Sequence, residues 1–395
     1  MKRAILTINA GSSSIKFALF PLVHAHPLSP KAEMHGQIDG IGTGATRLEA
    51  KGRDGKLLAD QAIPGKTVRH DLAFDALLQW FLASQSDWQI VAIGHRVVHG
   101  SELYSAPTII DDTVLGHLES FVPLAPLHQP HNVAGIKALR HLLPQVPQVA
   151  CFDTAFHRSQ PEVAQLFALP RALTAEGIRR YGFHGLSYEY IDRALPRHSH
   201  RARGRVVIAH LGNGASMAAM VNRKCVATTL GFSTIDGLMM GTRCGSLDPG
   251  LVLHLMESRN FSVKDMTRIL YKESGLLGVS GVSQDMRALL ASDKPEAHEA
   301  VELFCYRIVR ELGSLTAAAG GLDALVFTGG IGEHATEVRH RVCQQCEWLG
   351  IRLDPEANAR HDIVISAGDS RVDVLVIPTN EEWMMAHHAQ TLLAL

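Results

Sequence analysis

Gly11-Ser12-Ser13-Ser14 is a segment whose residue types could hold phosphate. Gly11 lets backbone N–H groups converge, each serine adds a hydroxyl donor, and Lys16 brings a mobile positive charge just downstream. An ordinary Ser-rich hairpin turn would have the same composition. The construction recurs at Gly212-Asn213-Gly214-Ala215-Ser216, and a third glycine-rich stretch runs from Thr328 through Gly329, Gly330, Ile331 and Gly332 to Glu333. There the order of strand, glycine turn and helix (from about Ala335) would bring unpaired N–H groups and a positive helix end to one point. Three such turns are more than scaffolding usually requires.

Charged residues of the right kind accompany them. Arg96, in Gly94-His-Arg-Val-Val-His-Gly100, could grip a carboxylate through two parallel hydrogen bonds, although an arginine in such a place often serves only an ion pair. Arg243 stands in a glycine-bracketed turn, Asp153 lies just past a strand end, and His184 sits between two glycines. Strand ends are where α/β proteins place ligands. Thr379-Asn-Glu381-Glu382 offers oxygen donors for a hard cation, or equally an acidic helix N-terminus.

The elements that must position these groups alternate. Helical patterns cover 70–83, 131–143, 186–195, 264–273, 296–319 and 382–393, and apolar strand-like runs cover 91–94, 149–152, 205–210, 324–328 and 372–377. That alternation predicts an α/β architecture. The segments Ile5–Phe20 and Val206–Val221 each read as strand, Gly/Asn/Ser turn and strand, about 200 residues apart. They predict a duplicated fold with related domains across a cleft; the competing reading is two coincidentally similar hairpins.

At 395 residues, two domains are expected. Lysine plus arginine (38) balance aspartate plus glutamate (39), so neither a nucleic-acid nor an anionic-membrane partner is expected, and a small molecule is. Polar residues interrupt the N-terminal apolar stretch too early for a signal peptide, and no long apolar run occurs, so the expectation is a soluble cytoplasmic protein. Cys343-Gln-Gln-Cys346 reads as two packed thiols in preference to a metal or redox pair.

Two nucleotide motifs can be tested directly. Gly65-Lys66-Thr67 has a P-loop tail, but Asp60 stands where the upstream glycine belongs. Gly330-Ile-Gly332-Glu-His-Ala335 matches the looser dinucleotide fingerprint, with Asp354 placed as a ribose acid, which keeps a nicotinamide dehydrogenase as an alternative. Too little chain follows for a full dinucleotide-binding half.

Taken together, the segments resemble the signatures of the acetate and propionate kinase family. The matching stretches, in family order, are Asn9–Lys16, Gly94–Gly100, Pro123–His128, Phe152–His157, Tyr181–Gly185, His210–Ser216, Gly237–Arg243, Asp285–Arg287, Gly330–Glu333 and Thr379–Glu382. The resemblance implies two duplicated domains of the acetate and sugar kinase/actin type, with ribonuclease H-like cores around a nucleotide cleft, usually as a homodimer. It divides the chain into 1–152 plus 379–395 on the carboxylate and phosphate side, and 153–378 for nucleotide binding and dimerisation. It implies reversible phosphoryl transfer from ATP to a short carboxylate, giving ADP and an acyl phosphate, with Mg2+ or Mn2+.

By position, Asp153, His184 and Arg243 match catalytic residues, and Arg96 matches the carboxylate binder, with Val98, Leu127 and Phe183 lining the apolar pocket. Asn9 and Glu381 match the metal site. Ser12, Ser14, Lys16, His210, Leu211, Gly212, Asn213, Gly214, Asp285, Met286, Arg287, Gly330, Ile331, Gly332, Glu333 and His334 match the nucleotide site. Cys244 and Ser246 replace the family's usual serine and aspartate, Thr234 a proline and His334 an asparagine, which leaves the ordering around Arg243 and the choice of acetate or propionate open. An actin-like nucleotide-binding regulator and, within the enzyme reading, a phosphorylated Glu381 intermediate are the remaining alternatives.

Overall fold

The computed structural model describes residues 1–23 and 26–395. The chain forms two compact units, Met1–Phe156 with Asn380–Leu395, and His157–Thr379. The first contains an eight-stranded sheet in the order β5-β4-β3-β2-β1-β6-β8-β7. Its strands are β1 (Lys2–Ala10), β2 (Ser14–Pro21), β3 (Met34–Asp39), β4 (Arg47–Gly52), β5 (Leu57–Ala62), β6 (Trp88–Val97), β7 (Thr108–Ile109) and β8 (Gln148–Phe152). The second contains a five-stranded sheet in the order β11-β10-β9-β12-β13. Its strands are β9 (Arg205–Leu211), β10 (Ala215–Val221), β11 (Lys224–Thr228), β12 (Ala324–Thr328) and β13 (Asp373–Val376).

The expected duplication is visible in the pairing. β3-β2-β1-β6-β8 and β11-β10-β9-β12-β13 each run as two antiparallel pairs followed by two parallel ones. Parallel strands need crossover helices on the sheet faces, so central strands are covered on both sides and read as unbroken apolar runs. Ala4 to Ile8 in β1 and all of β12 are buried accordingly.

In the first unit, helix His70–Ser84 packs Ala73, Phe74, Leu77 and Phe81 into one core with Ile8, Phe17 and Ile38. Helix Gln129–Leu142 joins it through Leu139, and helix Glu381–Leu392 packs on β1 and β6. That last contact is close at Gly94, where an added Cβ would lie 2.9 Å from the Met385 carbonyl oxygen. In the second unit the 25-residue helix Pro295–Ala319 packs on β9, β10 and β11.

The sequence reading differs from the structure in several places, the helices Asp112–Ser120 and Pro249–Ser258 among them. β3, β4 and β5 were not anticipated, because their exposed face carries charged residues such as Lys51 and Asp60. The Gly330–Glu333 segment is not a turn leading into a helix at about Ala335. It is itself the short helix Gly329–His334, broken at Ala335 and followed by Thr336–Gln345. Gly329, at φ 76, makes the turn directly after β12 and lies so close to Leu211 that a Cβ would come within 2.8 Å of its carbonyl oxygen. Cys343 and Cys346 are both buried, and burial pushes the Cys346 thiol up to about 12. No helix among the described residues is long and apolar enough to cross a membrane.

Candidate active site

The β1–β2 hairpin sets Asn9 and Lys16 directly opposite each other, with the Gly11–Ser14 turn beyond them. The Gly11 N–H donates to Ser14 O (2.8 Å), and His70 Nε2 lies 2.7 Å from Gly11 O, so the first residue of helix His70–Ser84 holds the turn from outside. Ser12 and Ser13 are exposed. Asn132 fixes the neighbouring strand end: its Nδ2 donates to Ala10 O (2.9 Å) while its Oδ1 accepts from Val98 N–H (3.0 Å). One side chain thus locks the ends of β1 and β6 together.

Arg96, at the end of β6, and Asp153, just past β8, form an ion pair. Nε donates to both carboxylate oxygens (3.0 and 3.1 Å), Nη2 donates to Oδ2, and Nη1 donates to Asn9 Oδ1 at 3.2 Å. Asp153 is 1% exposed. Burial by itself would lower the pKa of Arg96; the charge and hydrogen bonds of Asp153, with Glu381 and Glu382 behind them, raise it instead. Asp153 covers one edge of the guanidinium, and the remaining N–H groups on the two terminal nitrogens are what the side chain offers a substrate anion. Glu381 opens the last helix, and its carboxyl is pushed up to about 7. Burial is the main cause, helped by Asp153 and Glu382 and opposed by Arg96 and Lys16.

The second unit repeats the hairpin. Gly212 N–H donates to Gly214 O (3.1 Å), and the register places Ser216 opposite His210. Asn213 O accepts from Gly241 N–H (3.0 Å), and a Cβ at Gly241 would displace the Asn213 side chain from its place. His184 is the residue before helix Gly185–Ala194, at φ 60. Its ring stacks on that of His210 (centroids 4.5 Å, 26° between planes). A Cβ built on Gly214 would lie 3.3 Å from His184 Nε2 and 3.8 Å from Arg243 Nη1, so the imidazole and the guanidinium converge on that glycine. Arg243 Nη1 also donates to Thr234 O (2.9 Å).

A cavity of about 580 Å3 in this unit is lined by Gly212, Asn213, Asp285, Met286, Arg287, Gly330, Ile331 and His334, with Gln284, Leu290 and Ala335. Its size suits a small organic ligand. Leu211 is a buried strand residue, Gly332 is buried in its helix, and Glu333 accepts backbone N–H groups from Gly329 (2.9 Å) and Thr379 (3.2 Å). Of the apolar positions, buried Val98 and partly exposed Leu127 belong to the first unit and buried Phe183 to the second. Asp354, the ribose acid of the dehydrogenase alternative, is the N-cap of helix Pro355–Ala359, accepting from Glu356 and Ala357 N–H. Among the described residues no group of three or more His, Cys, Asp or Glu side chains could hold a metal ion.

Ser246, neutral where the family usually carries a carboxylate, ties its loop to the Asp236–Gly237 turn. Its hydroxyl donates to Asp236 Oδ1 (2.6 Å) and accepts from Gly237 N–H (3.0 Å), while Asp236 also pairs with Arg180 (3.0 Å). Cys244 is not an activated thiol; burial pushes it up to about 11. Sequence reasoning placed Ser216 in the second turn without a role and missed Asn132, Tyr188 and the buried Arg339. Arg339 donates to the carbonyls of Gly332 (2.9 Å) and Glu333 (2.8 Å), which caps the short helix beside the cavity. The helical spacing of Tyr188 after His184 and the nearness of Arg339 to Gly332 and Glu333 are local signals, whereas the contacts of Asn132 and Ser216 join residues far apart in the chain.

The model of the acetokinase family matches residues 4–387. Acetate kinase of Rhodopseudomonas palustris is 54% identical over 392 residues, 98% of each chain. Among solved structures, Porphyromonas gingivalis acetate kinase superposes with a TM-score of 0.88 at 36% identity, covering 99% of this chain and 100% of that one. A propionate kinase from Francisella tularensis gives 0.91 at 34% identity, covering 98% and 99%. With motifs, topology and near-complete coverage in agreement, the chain belongs to the acetokinase family.

Proposed function

We propose that the protein transfers the γ-phosphoryl group of ATP to acetate, reversibly, to give acetyl phosphate and ADP. The observation that carries this reading is the Arg96–Asp153–Asn9 constellation at the strand ends, in a chain that matches acetate kinases along its length. An acetate oxygen forms the new bond to the γ-phosphorus as the bond to the β,γ-bridging oxygen breaks, and that electron pair leaves with ADP. Acetate is already ionised near neutrality, so no general base is required. The rate must come from alignment and from neutralising charge.

In this reading Arg96 binds the acetate carboxylate, and Val98, Leu127 and Phe183 enclose its methyl group. His184 and Arg243 steady the migrating phosphoryl group, and Asp153 holds Arg96 in place. Ser12, Ser14 and Lys16 contact phosphates; residues 210–214, 285–287 and 330–334 take the nucleotide. Asn9 and Glu381 fit a magnesium ion: both offer hard oxygen donors, and a divalent cation would favour the ionised form of Glu381, which burial, with Asp153 and Glu382, disfavours. Such an ion, when bound, supplies charge neutralisation on the phosphates.

We further infer a cytoplasmic homodimer. Helix Pro249–Ser258 buries none of its residues in the single chain and exposes Leu251 and Leu253, an apolar face that a second copy would cover. A hydroxylamine trap for acyl phosphate, run with ATP, magnesium and formate, acetate, propionate or butyrate in turn, tests the activity. Acetate is expected to give the strongest signal. A stronger signal with propionate selects the propionate kinase reading, and none with any acid rejects the function. Label from γ-labelled ATP that stays on the protein and is chased by acetate would replace direct transfer with a phosphorylated Glu381.

A further inference from the structure

We propose that Ser216 and Tyr188 are positioning residues that hold His184 as the neutral tautomer with its proton on Nε2. The inference rests on the reading above, in which His184 meets the phosphoryl group. His184 Nδ1 lies 2.8 Å from Ser216 Oγ, and Ser216 Oγ is also hydrogen-bonded to the Tyr188 hydroxyl. Ser216 and Tyr188 are both fully buried. A side-chain network in such a place has strong and directional hydrogen bonds.

Donor strength gives the proposed direction. A phenol is the better donor and an aliphatic hydroxyl the better acceptor, so Tyr188 donates to Ser216. In the proposed arrangement the single proton of Ser216 goes to His184 Nδ1, and Nδ1 is the unprotonated nitrogen. The remaining ring proton is on Nε2, the atom that faces Gly214 beside Arg243. His210 restrains the same ring from its face, and Ser187 Oγ in turn lies 2.8 Å from His210 Nδ1. The ring of His184 is therefore set in both orientation and tautomer, and it presents an N–H donor where negative charge moves during transfer.

The test uses the full-length protein. Ser216→Ala is expected to lower kcat about 10- to 100-fold, and Tyr188→Phe about 3- to 10-fold, with KM for ATP and acetate within about twofold of wild type. Nitrogen-15 NMR of histidine-labelled protein, with the His184 signals assigned by their loss in His184→Gln, is expected to show protonated Nε2 and unprotonated Nδ1. That preference should relax to a mixture in Ser216→Ala. A proton on Nδ1 in wild type, or wild-type kcat in both variants, overturns the proposal. If Ser216→Ala does not fold, Tyr188→Phe, which keeps the ring volume, decides by the same two readouts. Because the NMR result does not depend on which acid is phosphorylated, absence of acetyl phosphate formation by wild type would reject the function while leaving the tautomer to be judged separately.

Discussion

The two hairpins share one frame and carry different chemistry. In each, an apolar strand enters a glycine turn and returns in the same register, so that Asn9 corresponds to His210 and Lys16 to Ser216. Each turn has a stacked histidine pair nearby: His70 on His131 (centroids 4.6 Å) in the first unit, His184 on His210 (4.5 Å) in the second. The first hairpin ends at a buried ion pair, Arg96 with Asp153; the second ends at hydroxyl and imidazole groups joined through Ser216. The backbone of a duplicated unit can therefore be retained while a few outward positions decide whether it handles fixed charge or directed hydrogen bonds.

The largest expected effect breaks the second unit's half of the comparison. Arg243→Ala should reduce turnover ~10³- to 10⁵-fold, roughly 4 to 7 kcal/mol of transition-state stabilisation, with a modest change in ATP affinity. Steady-state kinetics with near wild-type kcat would remove Arg243 from the reaction. In the first unit, Arg96→Ala should act on folding as well as on acetate binding. It leaves Asp153, 1% exposed, as an unpaired buried charge, and stability should fall by about 3 to 5 kcal/mol. Denaturant titration of that variant measures it, and a loss below about 1 kcal/mol would mean that the pair is not a structural anchor.

Acid should act on both units through their buried histidines. Burial lowers His95, His99 and His157 to about 4, below the ordinary 6.5 that each regains on unfolding. Above pH 6.5 these groups add no pH dependence. As pH falls from 6.5 towards 4 the unfolded chain takes up protons that the folded one refuses, and each histidine costs about 3 kcal/mol by the lower limit. His95 and His99 lie in the first unit and His157 in the second, but Glu381, pushed up to about 7 in the first, takes up its proton in the folded chain before the unfolded one and offsets about one of those two histidines, so hydrogen exchange at mildly acidic pH should show the two units losing protection together. Earlier loss in either would contradict the assignment. The smallest effect separates neighbours in the first turn: Ser12→Ala should raise the KM for ATP about 2- to 10-fold, the contribution of one hydrogen bond, and Ser13→Ala should leave it unchanged. Equal values would show that the turn is read through its backbone alone.

Much of this was legible in the sequence because the strands, turns and helices that carry the site are local patterns. The Gly-Ser and Gly-Asn-Gly turns, the apolar runs of β9 and β12 and the long helix ending at Gly320 all appear in the order and at the places their residues imply. What could not be read was long-range. Asn132 bridging Ala10 and Val98, and Ser216 reaching His184, depend on the sheet being assembled first. The half-polar strands β3 to β5 lacked an apolar run, and the helix at Gly329 looked like a turn because glycine is a poor helix former. Tertiary contacts, including the carbonyl cap from Arg339, override that propensity.

The backbone of His184 has a consequence for how such a protein can change. A histidine at φ 60 occupies a conformation that glycine adopts without penalty and that costs an ordinary residue about 1 to 2 kcal/mol. Selection for thermal robustness alone would favour glycine there, or asparagine, which tolerates the same conformation. With His184 in its proposed role, function and robustness pull in opposite directions at this residue, and a library screened only for melting temperature should enrich inactive variants at this position.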